Sequence, residues 1–238
     1  MIRAVIFDMD GTVFDTERVY RDIWVSEGKR FGITVDLAED FPHIAGVSRE
    51  VNVAYWKQKH GKDFPGEAFH RAWWDGAARA LEHEVPLCAG VPKILGELRD
   101  MGCKLAIASS SPKERVERYL RVSGCTDYFD VIVSGERVKK GKPAPDIFLL
   151  AAEELGVEPA HCVVAEDAPF GVLGGLNAGM RTVMVPDFLP CPPELRPRLW
   201  QHLDTLEPLP ELIARHNRAL AEDDTEQSNQ KEIRRNEA

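Results

Sequence analysis

The chain has 238 residues, 44% of them hydrophobic and 29% charged, with a formal net charge of −9 at pH 7. That composition predicts a soluble globular protein of one or two domains, and the acidic balance argues against a nucleic-acid-binding surface while leaving room for a small anionic substrate. No apolar run approaches the ~20 residues of a membrane span, no signal-peptide layout is seen, and Cys88, Cys103, Cys125, Cys162 and Cys191 show no metal-ligand spacing. A cytoplasmic protein with reduced, buried thiols is expected.

Residues 4–7 (Ala-Val-Ile-Phe) make an apolar, β-branched run that stops at Asp8, Asp10 and Gly11. The run predicts a buried strand. From about 17 to 84 the strand pattern is interrupted. Ile23, Trp24, Phe31 and Ile33, then Val51, Val53, Tyr55 and Trp56, have helical spacing, with Gly28, Gly32 and Gly61 as punctuation. This predicts a helical insert over the sheet edge, with Trp24, Trp56, Trp73 and Trp74 in its core. From residue 86 helix and strand alternate. Helices are predicted over 92–101, from the capping box Ser111-Pro112-Lys113-Glu114, over 145–155 and from about 169; strands are predicted over 104–108, 131–133, 162–165 and 181–185. Gly171, Gly174 and Gly175 cost the fourth of these helices about 1 kcal/mol each against alanine, which predicts close packing of helix on sheet. The proline-rich stretch 186–197 is expected to wrap the outside of the core.

The later apolar runs end as the first one does. Residues 105–108 meet Ser109, residues 162–165 meet Glu166 and Asp167, and residues 131–133 are followed after a short loop by Lys142. In a doubly wound sheet, ligands sit outside the carboxyl ends of parallel strands. Four acids, one hydroxyl and one lysine would then emerge along one edge, a set suited to a divalent cation with a phosphate beside it. The helix starting two residues after Ser109 would turn its positive end toward the same place. Each residue alone has a plainer reading, such as a strand-end turn, a helix start, or a solvated run with Lys139 and Lys140. Their recurrence along one edge favours the chemical reading.

Asp8-Met9-Asp10-Gly11-Thr12, Ser109, Lys142 within Gly141-Lys142-Pro143-Ala144-Pro145-Asp146, and Glu166-Asp167 resemble, in that order, the signature motifs of the haloacid dehalogenase superfamily of aspartyl-phosphate phosphotransferases. The resemblance runs over about residues 2–185 and is nearest to the subgroup of β-phosphoglucomutase and small sugar-phosphate phosphatases. It implies an α/β fold: a doubly wound parallel (Rossmann-like) core sheet at 1–15 and 86–220, with an inserted α-helical cap at 16–85. Hinge strands would lie near Asp15 and at 85–87. The tail at 221–238, rich in Glu, Asp, Asn and Gln and nearly free of apolar residues, is predicted to be disordered or helical only at its edges.

The resemblance also implies roles. Asp8 would be the nucleophile, ionised at neutral pH without help from a base. Asp10 would be the general acid and base. Mg²⁺ would be held by Asp8, Glu166, Asp167 and the backbone carbonyl of Asp10. Ser109 and Lys142 would bind the phosphoryl group. Thr12 and Thr16 would orient the loop, Thr16 standing with the phosphate-binding residues. Gly46-Val47-Ser48-Arg49 resembles the mutase loop in which the arginine holds a distal phosphate, so Arg49 is a candidate substrate ligand. Mutases carry lysine where this chain has Ala45 and histidine where it has Tyr20. These departures favour hydrolysis of a sugar or polyol phosphate over a β-phosphoglucomutase-type reaction. The complete set of catalytic residues speaks against a silent phospho-ligand-binding protein. The expected partner is a small phosphorylated metabolite, without nucleic acid or membrane, and the chain is expected to be a monomer.

Overall fold

The five apolar runs become five strands, β1 (Ala4–Phe7), β2 (Lys104–Ser109), β3 (Val131–Ser134), β4 (Cys162–Glu166) and β5 (Arg181–Met184), and a two-residue strand, β6 (Gln201–His202), extends the sheet past β5. The structure, a computed structural model, describes residues 1–44, 47 and 49–236, with side chains as far as residue 222. All five strand pairings are parallel, in the order β3-β2-β1-β4-β5-β6. The chain winds outward from β1 to β3, then returns to the other side of β1 for β4. The topological switch point therefore lies between β1 and β4, where a doubly wound sheet opens its binding crevice.

The insert between β1 and β2 begins with four helices, α1 (Glu17–Arg30), α2 (Leu37–Ile44), α3 (Arg49–His60) and α4 (Gly66–Ala80). Their shared core is aromatic: Trp24, Phe41, Trp56 and Phe69 are buried, and Trp73 stacks on Trp24 with ring centroids 4.6 Å apart. Trp74 differs from the expectation, being half-buried beneath Arg115. Gly28 is not punctuation but sits inside α1, where a Cβ would come 2.6 Å from Val35 Cγ2. The two connections to the core pair with each other. Asp15 N–H donates to Pro86 O at 2.9 Å and Cys88 N–H to Val13 O at 3.0 Å, on either side of an antiparallel bridge between Phe14 and Leu87.

The core helices are α5 (Val91–Asp100), α6 (Lys113–Ser123), α7 (Asp146–Leu155), α8 (Pro169–Asn177) and α9 (Leu209–Asn236). The two-residue period of the strands sorts their side chains between two layers. Val5, Phe7, Leu105 and Ile107 pack with residues of α5, α6 and α9, while Ala4, Ile6, Ala106 and Ala108 pack against α7. In the proline-rich stretch, Leu195 packs on Val172 and Met184, and Phe188 reaches the aromatic core of the cap.

Two local expectations are corrected. Ser111 does not cap α6, whose N-cap position is Pro112 with no side-chain cap bond; the Lys113 N–H is met by Glu136 at 2.9 Å instead. The backbone of 221–236 continues α9 where composition predicts disorder. After Pro210 the chain has no glycine or proline, and its Ala, Glu, Gln, Lys and Arg content favours helix without requiring a buried face. Ala45, Gly46 and Ser48 of the mutase-like loop, and residues 237 and 238, lie outside the described residues. All five cysteines are free thiols, Cys103, Cys125 and Cys162 buried and Cys88 and Cys191 half-buried. Among the described residues, no helix is long and apolar enough to cross a membrane.

Candidate active site at the carboxyl edge of the sheet

Asp8 is the first residue past β1, and its N–H still donates to Ala165 O at 2.9 Å. This last rung between β1 and β4 sets Asp8 beside Glu166 and Asp167 at the switch point. One carboxylate oxygen from each of the three acids lies within 4.8 Å of the others, and all three residues are buried. Lys142 enters from the loop before α7, its side chain only 6% exposed. Its Nζ hydrogen-bonds to Asp8 Oδ1 and, at 2.6 Å, to Glu166 Oε1.

Two glycines make room for these acids. Gly11 has φ of +77°, in the left-handed region, and a Cβ there would stand 2.5 Å from Asp167 Oδ2. Gly171, in the first turn of α8, lies so close to Glu166 that a Cβ would come within 1.6 Å of Oε1. Packing accounts for Gly174 and Gly175, where a Cβ would meet Phe148 at 2.9 Å and Thr182 Oγ1 at 2.7 Å. Gly171 belongs to the acid site instead.

Three carboxylates here face one ammonium. Burial pushes Asp8 up to about 7, against the pull of Lys142 and with a further push from Glu166. Burial, then repulsion from Glu166 and Asp8, raises Asp167 well above the usual carboxylate range. Burial also works against the charge on Lys142, but Asp8 and Glu166 outweigh it and hold the ammonium above its ordinary pKa. Ionising all three acids would put a surplus of negative charge on hard oxygens in a buried site. That donor set fits a divalent cation.

The Asp10 carboxylate stands apart from this triad. Its Oδ1 accepts from Thr16 Oγ1 at 2.6 Å and from Tyr20 OH at 2.8 Å, and its Oδ2 accepts from Ser111 Oγ at 3.4 Å. Thr16, fully buried, thus meets Asp10 rather than an open face. Ser109, at the end of β2, accepts the Ser111 N–H at 3.1 Å, which leaves its own O–H to donate. The Thr12 hydroxyl, in the turn after Asp10, is buried without a partner among the described residues. Arg49 is not joined to the acids. It opens α3 and its guanidinium grips Glu67 at 2.5 and 3.1 Å, both side chains more than half exposed.

The sequence reading missed three residues of this neighbourhood. Tyr20 counts there as the loss of a polar group, yet its hydroxyl supplies one to Asp10; its place four residues after Thr16, on the same face of α1, was the available signal. Ser111 was hidden by its resemblance to a helix cap. Arg115 carries no sequence signal, since only the fold brings it to Tyr20.

A profile of haloacid dehalogenase-like hydrolases matches residues 2–179. Fructose-1-phosphate phosphatase YqaB of Escherichia coli (strain K12) is 34% identical over 192 residues, covering 76% of this chain and 95% of that protein. Hexitol phosphatase B of the same organism is 30% identical over 190 residues, covering 78% and 84%. Among solved structures, CbbY from Rhodobacter sphaeroides in complex with phosphate has 28% identity and a TM-score of 0.71, covering 86% of this chain and 95% of that one.

Proposed function

The chain belongs to the haloacid dehalogenase-like hydrolases, and from that membership we propose that it is a magnesium-dependent phosphatase of small phosphate monoesters, sugar or polyol phosphates, acting through an aspartyl phosphate on Asp8. The observation that carries this reading is the buried Asp8, paired with Lys142 and flanked by Glu166 and Asp167. The named activities of the two Escherichia coli relatives support the substrate class.

In this mechanism the Asp8 carboxylate attacks phosphorus, the ester P–O bond breaks, and Asp10 gives a proton to the departing oxygen. Asp10 then takes a proton from the water that attacks the aspartyl phosphate, releasing inorganic phosphate and free Asp8. Ser109 donates its hydroxyl hydrogen to a phosphoryl oxygen, and the Lys142 ammonium balances charge on the same group. The carboxylates of Asp8, Glu166 and Asp167 and the Asp10 carbonyl would hold magnesium, which when bound offsets the repulsion between carboxylate and phosphate.

A mutase would need fixed positive charge opposite Asp8 to hold each end of a bisphosphate in turn and keep water out. The pairing of Arg49 with Glu67 on an exposed surface favours hydrolysis. The test is β-glucose 1-phosphate with catalytic β-glucose 1,6-bisphosphate, beside a panel of sugar and polyol phosphates with Mg²⁺. Phosphate release from at least one ester is expected. Glucose 6-phosphate appearing many times faster than free phosphate would replace hydrolysis by isomerisation, and no release from any ester by folded protein would end the phosphatase reading.

A further inference from the structure

Arg115 lies on α6, 7% exposed, and no carboxylate is ion-paired with it among the described residues. Its guanidinium carbon is 3.5 Å from the centroid of the Trp74 ring on α4. Nη1 reaches Tyr20 OH on α1 at 3.4 Å, and Nη2 is buried without a partner among the described residues. A buried guanidinium with neither carboxylate nor full hydrogen bonding is costly, and an aromatic face offsets only part of the cost. Packing alone does not call for it, since an apolar side chain would cover Trp74 equally well.

The donor rules give this cation a direction of action. A guanidinium only donates, so the Tyr20 oxygen must be the acceptor of their bond. Oδ1 of Asp10, 2.8 Å away, only accepts, both in the free carboxylate and when the proton is on Oδ2, so the Tyr20 hydrogen goes to it. Tyr119 OH, 3.1 Å from Tyr20 OH, must then be a donor as well. Every bond around the Tyr20 oxygen thus drives its single hydrogen toward Asp10. With Thr16 on the same atom, Oδ1 is filled by two donors, while Oδ2 has, among the described residues, only the long contact from Ser111.

We propose that Arg115, acting through the Tyr20 hydroxyl, is a positioning residue that keeps Oδ1 of Asp10 as a hydrogen-bond acceptor and so reserves Oδ2 for the proton given to the leaving group. The proposal rests on the phosphatase reading above. In the step concerned, Asp8 forms its bond to phosphorus, the ester P–O bond breaks, and the proton on Oδ2 passes to the departing oxygen. Because Arg115 belongs to the core and Tyr20 and Trp74 to the cap, the arrangement exists only while the two are together.

The test compares two esters by kcat/KM, which reports the first phosphoryl transfer. A sugar phosphate leaves as an alkoxide and needs the proton; 4-nitrophenyl phosphate leaves as a stable phenolate and needs it far less. Arg115→Met keeps the stem and removes the donors, and Tyr20→Phe removes only the hydroxyl. In both variants kcat/KM for the sugar phosphate should fall at least about tenfold further than for 4-nitrophenyl phosphate. Arg115→Lys should restore part of the difference, and thermal melts identify any variant that does not fold. Equal losses on both esters in folded Arg115→Met and Tyr20→Phe would overturn the proposal, leaving the phosphatase reading in place. Wild-type protein inactive on every ester would end that reading and the proposal with it.

Discussion

Lys142 and Arg49 are both cations paired with carboxylates, one at the sheet edge and one on the cap. Lys142 is 6% exposed between Asp8 and Glu166, whereas Arg49 and Glu67 have side chains 56% and 53% exposed. Breaking a buried pair strands a charge and costs about 3–5 kcal/mol, while an exposed pair is worth about 0.2–1 kcal/mol. Asp8 and Glu166, the partners of Lys142, stand at strand ends whose heights are set by the ladder, so the place of the core pair is built into the sheet. The cap pair is set by rotatable side chains on a surface and is free to exchange Glu67 for something else. On the proposed function, the core would fix the reaction and the cap would admit a variable ligand.

The most severe way to break this contrast is to remove the nucleophile. Asp8→Asn should reduce turnover on the order of 10⁴-fold or more while leaving the fold, because Lys142 keeps Glu166. Near-normal turnover with a normal melting curve would remove the aspartyl phosphate from the mechanism. A gentler change tests whether the rigidity of the edge is needed. In Gly171→Ala the added methyl would displace the Glu166 carboxylate, and a loss of about 10–100-fold in activity or metal affinity is expected. The loss should appear in magnesium titrations as a weakened apparent affinity. An unaltered titration would show that Glu166 has slack.

How much of this could be read beforehand depends on the range of the interaction. β1 to β5 were legible because strands buried on both faces are continuous apolar runs. The acids, Ser109 and Lys142 were legible because each sits at or just beyond such a run. β6 was not, since Gln201 and His202 carry neither an apolar run nor an alternation. Ser111 misled because its local pattern for a helix cap lost to the tertiary demands of Asp10 and Ser109. Arg115 was illegible for a related reason: in the charged run Lys113-Glu114-Arg115 it reads as a surface residue, and its partners lie 95 and 41 positions away, at Tyr20 and Trp74.

A smaller effect sharpens the electrostatics of the core. Asp8 is raised from 3.8 to about 7 in the protein without a cation. A carboxyl raised on folding contributes stability that is complete below its unfolded pKa and lost as pH rises through the folded one. Metal-free protein should therefore lose that contribution between about pH 4 and 7. Magnesium competes with the proton for the same oxygens, so its stabilisation should grow over that window. Melting with and without Mg²⁺ should show a larger gain at pH 8 than at pH 5.5, by several degrees, at about 2–4 °C per kcal/mol for a chain of this size. Equal gains at both pH values would mean that Asp8 is not among the ligands.

The smallest expected effect falls on Arg49, and it decides whether the cap's cation is a ligand or an ornament of the surface. If the pair with Glu67 is its whole role, Arg49→Ala removes an exposed ion pair, and the melting temperature should move by no more than about 2–4 °C. Substrate recognition should then change little, with kcat/KM falling less than about tenfold, or ~1.4 kcal/mol. If Arg49 leaves Glu67 to hold the substrate, the loss should appear mainly as a rise in KM. Glu67→Ala separates the two cases with the arginine intact. It frees the guanidinium, so a substrate-gripping Arg49 should bind better and KM should drop, whereas an arginine occupied only with Glu67 should leave KM where it was. A polyol phosphate with no charge beyond its one phosphate should give the second pattern and a substrate with a second anionic end the first, because only the latter offers the cap an anion that competes with a carboxylate for a guanidinium. Measuring both substrates on both variants tests whether the cap reads charge. A KM drop with the polyol monophosphate in Glu67→Ala would refute the assignment.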